Sequence, residues 1–574
     1  MARAPARAAR LRVARGGQAR IRPTEPPQPG EEDLIRKLLV ANRGEIALRV
    51  FRACRELGIG TVAVVAPDDK GSLHARSADE TVEIGSYLFS EEHIRAAKQA
   101  GADAIHPGYG FLAENPDFAE AVGAAELVWV GPSADTLRAG GDKLAAKRIA
   151  RDAGVPVVPT GEPDDIGFPL VVKAAAGGGG RGMRVVRRRD ELDEALESAR
   201  REAKAAFGDD RVFCERYVER PRHVEIQLLG DTQGNVVALG ERECSVQRRH
   251  QKVLEESPSP AVDERLREEM SEAALRFARA IGYESAGTAE FMLEGRDFSF
   301  LELNGRIQVE HPVTELVAGV DLVQAQLRIA SGEPLDPEQL SATRYVGYAV
   351  EVRLYAEDPR TFFPQTGRIE KLRLPEEIRV DTGIEEGDEI GIAYDPLIAK
   401  LIAHGSTRSE AFDRLGGALA ETDVQGVTTN LPFLRWLVAH PVVRAGDTTT
   451  AFLTEYPPLS PPPLRAAERP WRGAFRLNLP PPSPRPAPNV DAAAGGRDGA
   501  TGEQSTVTAP MPGTVIKVLV AAGDSVQPRQ PLVVLEAMKM ETPLSSPYEA
   551  VVRAVHVAEG DQVAGGAVLV ELEE

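Results

Sequence analysis

The stretch TAEFMLEGRDFSFLELNGRIQVEHPVTE concentrates residues able to do chemistry. On a strand, Phe300, Glu302 and Asn304 are two apart and are expected to share a face. A tight hairpin around Gly295 would bring Glu290 opposite Glu302. Facing carboxylates repel unless a cation lies between them or one takes a proton. Carboxylate and amide oxygens suit Mg²⁺, whose shell substrate phosphates and water complete. Arg306 and Glu310 follow, a cation for an anionic substrate and a possible base; a salt-bridged surface hairpin is the inert alternative. In VVKAAAGGGGRGMRVV, Lys173 ends a strand before four glycines, Gly177 to Gly180, and Arg181. Such loops let backbone N–H groups approach phosphate oxygens. No Gly-Lys-Ser/Thr follows, so this is not a Walker A loop. Glu215, His223, Gln247, His250, Lys252, Arg353 and Asp395 are polar residues to which pattern alone gives no role.

The elements that must position these residues are legible as alternating patterns. An apolar run, Leu38 to Val40, precedes a Gly-containing turn, a helical stripe (Ile46, Val50, Cys54, Leu57) and a second strand, Val62 to Ala66. Strand–helix–strand units build a parallel sheet. Residues 35–145 therefore predict a doubly wound α/β domain with crevices at the carboxyl ends of its strands. ANRGEIA falls in such a turn but lacks the spacing of a dinucleotide site. Helices alternate with β-rich runs over 146–344, and a mixed segment covers 345–456.

Twelve prolines then fall between positions 457 and 488. Such a composition cannot bury a core, so 457–504 reads as a semi-rigid linker. The final segment, 505–574, repeats itself. VIKVLVAAGDSV returns as VRAVHVAEGDQV at an offset of 37, matching Val515, Val518, Val520, Gly523, Asp524, Val526 and Leu532 to Val552, Val555, Val557, Gly560, Asp561, Val563 and Leu569. Two matching halves of short strands predict a flattened β-sandwich with pseudo-twofold symmetry. Lys539, between Met538 and Met540, falls in the connection between the halves. A lysine at the symmetry-unique point of a tethered domain reads as an attachment point.

Composition narrows the class. At 574 residues, with 42% apolar residues and a net charge of −19, the chain has ample core and no basic excess, which argues against nonspecific nucleic-acid binding. Three scattered cysteines, Cys54, Cys214 and Cys244, suggest reduced thiols and a cytoplasmic enzyme. No apolar run is long enough to span a membrane. The first 22 residues hold seven arginines and no acid. Their lack of serine and of an amphipathic stripe favours an unstructured extension over 1–34 rather than a transit peptide.

APMPGTV with EAMKMET closely resembles the biotinyl carrier domain, whose lysine between methionines carries biotin in amide linkage. LLVANRGEIALRV, IHPGYGFLAENPDF, KAAAGGGGRGMRVV, RPRHVEIQ, ERECSVQRRHQKVLEESP, ELNGRIQVEHPVTE and YDPLIAKLI together resemble biotin carboxylase, an ATP-grasp enzyme, over about 36–455. The whole resembles the α-subunit of an acyl-CoA carboxylase of the acetyl- or propionyl-CoA type. The resemblance implies an α/β and α+β multidomain chain: a doubly wound N-terminal domain, an ATP-grasp domain with a Gly-rich lid, a mixed C-terminal carboxylase domain and an all-β biotinyl sandwich.

It also implies roles. Lys143, Lys173, Gly179, Gly180, Glu215, His223, Gln247 and His250 would bind ATP, with 177–183 on a closing lid. Glu290, Glu302 and Asn304 would hold Mg²⁺ or Mn²⁺. Lys252, Arg306 and the Val309 backbone would bind bicarbonate, Glu310 would deprotonate it to give carboxyphosphate, and Arg353 would stabilise the biotin enolate. Biotin would sit on Lys539, placed there by a biotin protein ligase. The implied partners are a carboxyltransferase β-subunit and a second copy of the carboxylase domain, with neither nucleic acid nor membrane. Gly305 stands where the family has Thr or Pro, which is expected to loosen Arg306, and Arg216 replaces a usual Lys. Two other readings are an inactive biotinylated carrier and a different ATP-grasp ligase of the carbamoyl-phosphate synthetase kind. The intact polar set opposes the first, and Lys539 opposes the second.

Overall fold

The computed structural model describes residues 35–175, 183–207, 209–248, 251–341, 345–461, 506–509, 513–528, 530–537, 540–563 and 566–573. Five parallel strands open the fold: β1 (Lys37–Val40), β2 (Gly60–Val65), β3 (Glu80–Glu83), β4 (Ala104–His106) and β5 (Val128–Trp129), in the order β3-β2-β1-β4-β5. β1 and β2 are apolar runs because helices cover both faces of a parallel sheet. Helix Gly44–Leu57 follows β1 and ends on Gly58 at φ 75°, which an L side chain rarely adopts. The strand order reverses between β1 and β4, where open α/β sheets form their crevice. There the Asn42 Nδ2 donates to the carbonyls of Pro107 (2.8 Å) and Tyr109 (2.7 Å), cross-linking the two turns. Gly108 is at φ 65°, and a Cβ there would lie 2.8 Å from that same Nδ2.

A small antiparallel sheet follows, ordered β7-β6-β8 from β6 (Leu170–Ala174), β7 (Arg184–Val186) and β8 (Val212–Arg216). Helix Leu192–Phe207 covers it through Leu192 and Ala199, packed with Leu170, Val172, Val186 and Cys214. The main scaffold is an eight-stranded sheet. It runs β13 (Asp297–Asn304), β12 (Ser285–Glu294), β9 (Arg222–Gly230), β10 (Val236–Arg248), β11 (Gln251–Ser257), β14 (Tyr348–Tyr355), then strands Leu397–Gly405 and Arg379–Thr382. β11 pairs with β14, so the segment read as ATP-grasp and the one read as C-terminal carboxylase share one sheet. Helix Glu264–Ala280 packs Leu266, Met270 and Phe277 against it.

The carrier segment forms two four-stranded sheets. One is ordered Thr506–Thr508, Val568–Glu573, Ala550–Val555, Ser525–Val526, and the other Met540–Ser545, Pro531–Ala537, Gly513–Val518, Gln562–Val563. Shifting the chain by 37 converts one order into the other. The turns match as well: Gly523 N–H donates to Val552 O and Gly560 N–H to Val515 O, each at 2.7 Å. Both glycines have φ near 95°, and Asp524 and Asp561 each accept from the backbone three residues earlier at 2.8 Å.

Candidate active site

The β12–β13 hairpin turns at Gly295 and sets Glu290 opposite Glu302 and Thr288 opposite Asn304. The ladder then slips, pairing Phe291 with Phe300 and leaving Leu301 as an extra residue. A bulge reverses side-chain alternation. Phe300 therefore does not share a face with Glu302 and Asn304 as its spacing suggested. It is fully buried against Phe277, ring centroids 4.5 Å apart, and Phe291.

On the polar face, Glu290 accepts from Asn304 Nδ2 (2.8 Å) and Lys252 Nζ (2.9 Å), and lies 3.1 Å from His223 Nε2. Burial pushes the Glu290 carboxyl up, but the Lys252 and His223 charges outweigh it and hold it well below the usual range. Burial lowers His223, and Glu290 more than restores it. Lys252 also donates to Glu310 (2.7 Å) and to Glu225. Burial disfavours its ammonium, yet the three carboxylates leave it well above the ordinary lysine value.

Glu310 caps helix His311–Ala318 and is fully buried. Burial would neutralise it, but Lys252 and Arg353 keep it ionised, far below its ordinary value. Arg353, on β14, donates to Glu310 (3.0 Å) and lies 2.6 Å from Glu255. Arg306 lies 3.1 Å from Glu114 and donates to Asn304 Oδ1 (3.1 Å) and Gln308 Oε1 (3.0 Å). Gly305 does not loosen it: the Gly305 N–H is itself fixed to Glu114 at 3.1 Å, and a Cβ would lie 2.8 Å from Leu137.

A second polar group surrounds Glu215 on β8. Lys173 Nζ is 2.5 Å from one oxygen and Lys147 holds the other. Burial, then Lys143, bring Lys173 down to about 8. Lys143 sits 3.3 Å from Glu302, which places this group beside the hairpin. Gln247 faces Lys252 across the β10–β11 ladder and donates to Cys244 O (2.9 Å). The Val309 carbonyl accepts from Lys400 (2.9 Å), so an anion would have to meet its N–H. Gly179, Gly180, His250 and Lys539 lie outside the described residues; the strands flanking Lys539 pair up to Ala537 opposite Met540.

Sequence reasoning missed Glu225, Arg242, Gln308 and Lys400. Arg242 is buried among Glu225, Gln227 (2.7 Å), Thr288 (3.1 Å) and Thr314 (2.9 Å). A signal did exist in HVEIQLL, where His223, Glu225 and Gln227 alternate with apolar residues on one face. Gln308 Nε2 and Arg353 Nε are buried donors with no hydrogen-bond partner among the described residues. A buried unpaired donor costs about 1–3 kcal/mol, and these two donors are open to an acceptor such as an anion's oxygen. The oxygen donors of Glu290, Glu302 and Asn304 fit a hard cation.

Fold and site together define a nucleotide-dependent ligase with an appended carrier domain. The chain matches the family models "Biotin carboxylase, N-terminal domain" at 34–137, "Carbamoyl-phosphate synthase L chain, ATP binding domain" at 142–338, "Biotin carboxylase C-terminal domain" at 351–455 and "Biotin-requiring enzyme" at 505–572. It is 46% identical to the propionyl-CoA carboxylase alpha chain of Ruegeria pomeroyi, over 74% of this chain and 68% of that one. It is 41% identical to the biotin-dependent acyl-coenzyme A carboxylase alpha3 subunit of Mycobacterium leprae, over 94% and 98%. Among solved structures, the biotin carboxylase domain dimer of Hydrogenobacter thermophilus 2-oxoglutarate carboxylase, in complex with MgADP, ADP and bicarbonate, matches with a TM-score of 0.72 at 43% identity, over 74% and 98%. The chain belongs to the biotin carboxylase family and carries a biotinyl domain on the same polypeptide. It is an ATP-grasp enzyme that carboxylates biotin at the expense of ATP, with biotin, ATP and Mg²⁺ as its cofactors.

Proposed function

We propose that this chain is the α-subunit of an acyl-CoA carboxylase, which charges its own biotin and delivers it to a separate carboxyltransferase β-subunit. The similarity to the Mycobacterium leprae α-subunit spans nearly both whole chains, which supports this over a free-standing carboxylase. Lys539 is the residue modified, by a biotin protein ligase. The carboxylase part pairs with a second copy. The buried free thiols Cys54, Cys214 and Cys244 fit the reducing cytoplasm. Among the described residues no helix is long and apolar enough to cross a membrane.

Within the site, Lys143, Lys173, Glu215, His223 and Gln247 bind ATP, joined by Gly179, Gly180 and His250. Glu290, Glu302 and Asn304 hold Mg²⁺ or Mn²⁺, which when bound neutralises phosphate charge. Lys252, Arg306 and the Val309 N–H take bicarbonate, and the unpaired Gln308 Nε2 is a further donor to it. The observation that carries this reading is the convergence of Lys252 on Glu290 and Glu310, which joins the metal carboxylates to the base in one contact set.

A bicarbonate oxygen bonds to the γ-phosphorus as the bond to ADP breaks, and Glu310 takes the bicarbonate proton. Without substrate, Lys252 and Arg353 hold Glu310 ionised and weakly basic. When those cations turn to substrate anions, its basicity rises toward the ordinary carboxylate value. Biotin, when bound, supplies the ureido nitrogen that accepts the carboxyl group, and Arg353 is the cation beside Glu310 available to its oxygen.

Labelled bicarbonate with Mg-ATP should place acid-labile label on the purified biotinylated chain and none on a Lys539→Arg variant. A wild-type chain shown by mass to carry biotin but taking no label would favour the inactive-carrier reading.

A further inference from the structure

Lys400 is a lysine flanked by apolar residues on the strand Leu397–Gly405, in the run LIAKLIAHG, and it is fully buried. Burying an ammonium costs several kcal/mol unless close partners compensate. Its Nζ lies 3.1 Å from Glu45 of helix Gly44–Leu57 and 3.8 Å from Asp381, and it donates at 2.9 Å to the carbonyl of Val309. The third contact meets the need of a buried ammonium for acceptors, and it falls on the peptide immediately before Glu310.

The sheet register explains the reach. Lys400 is directly opposite Arg353 on one side and Asp381 on the other, so the three side chains leave one face of the sheet together. Arg353 holds the Glu310 carboxylate at 3.0 Å, while Lys400 holds the carbonyl one residue earlier. A planar trans peptide directs its N–H opposite to its C=O. Turning the Val309 carbonyl to Lys400 therefore fixes the 309–310 peptide, which carries the Glu310 N–H, and so the backbone on the C-terminal side of the Val309 N–H that an anion would meet. Flipping that peptide would turn the Val309 carbonyl, a dipole of the wrong sign for an anion, away from Lys400.

We propose that Lys400 is a positioning residue for bicarbonate: it sets the peptide between Val309 and Glu310, as its neighbour Arg353 sets the Glu310 carboxylate. The inference rests on the reading that Arg306 to Glu310 takes bicarbonate. Lys400 acts through that segment.

The test uses the full biotinylated chain and its bicarbonate-dependent ATP hydrolysis, varying bicarbonate and ATP separately. Lys400→Met should raise the bicarbonate KM at least tenfold and leave the ATP KM within twofold. Lys400→Arg, which can still donate to the carbonyl, should recover part of the loss. A folded Lys400→Met variant with bicarbonate KM within twofold of wild type, or with both KM values rising in parallel, overturns the proposal. So does a fall in thermal midpoint without that split. Should Lys400→Met fail to fold, Asp381→Asn weakens the hold on Lys400 from the side away from the turn. A selective bicarbonate effect of about threefold then supports the role, and its absence overturns it. A wild-type chain with no bicarbonate-dependent hydrolysis would refute the site reading and this inference with it, whereas a variant that fails against an active wild type removes Lys400 alone.

Discussion

Two buried glutamates near Arg353 have their carboxyl groups displaced in opposite directions from the ordinary value, and the difference is local electrostatics. Glu310 faces Lys252, Arg353 and Arg242, whose charges overcome burial and keep it ionised. Glu351, two residues before Arg353 on β14, has both oxygens buried with no hydrogen-bond partner among the described residues. Burial pushes it well above 4.5, Lys400 opposes that, and Glu255 adds to it. The folded chain therefore binds a proton at Glu351 that the unfolded chain releases above about 4.5. Stability from this group is complete below that pH and is lost as pH rises toward the folded value, by up to about 1.4 kcal/mol per pH unit. Glu351→Gln, which imitates the protonated form, should melt at or above wild type at pH 8, converge with it near pH 4.5, and keep activity within about threefold. Glu310→Gln removes the proposed base and should cut bicarbonate-dependent ATP hydrolysis by about 10²-fold or more. Melting curves across pH with parallel rates check both, and a Glu351→Gln variant destabilised at pH 8 would show that Glu351 is ionised when folded.

At the scale of elements, the bulge at Leu301 decides which residues reach the site. It lets Phe300 fill the core while Glu302, two positions on, faces Glu290. Phe300→Ala should cost about 3–5 kcal/mol in denaturant unfolding and leave the ATP KM within about threefold. A small stability loss with a large rise in ATP KM would instead put the ring in the site. Much of this hairpin was legible beforehand, because Gly295 marks the turn and alternation faces Glu290 with Glu302. The bulge was not, since nothing local in FSFLELN says which residue is skipped. Nor was the β11–β14 pairing, which joins segments almost a hundred residues apart. Lys400 stayed hidden for a different reason. One lysine among apolar strand neighbours has no spacing signature, and its partners come from three other segments. The two matching halves of the carrier segment were legible because the sequence repeat marks them, and the junction where Lys539 falls, without any contact being known.

For the whole molecule, the question is how the carrier reaches the site that charges it. Residues 462–505 join the last described carboxylase residue to the carrier's first strand. A chain of that length could span at most on the order of 150 Å at ~3.4 Å per residue. A tether that can span its sites gives an effective concentration of roughly millimolar order. Self-charging within one chain should then give an initial rate per molecule that is unchanged between about 0.1 and 10 µM. Separating the polypeptide within 470–500 and mixing the halves at about 1 µM should slow carboxylation of the carrier roughly 10²- to 10³-fold. Bicarbonate-dependent ATP hydrolysis by the carboxylase half should persist in that mixture, because every residue placed around Glu310 precedes the cut. Carrier added toward millimolar concentration should restore the rate. A rate per molecule that climbs with concentration in the intact chain would mean that the biotin is charged by another molecule, and the tether would then serve only to join the two halves.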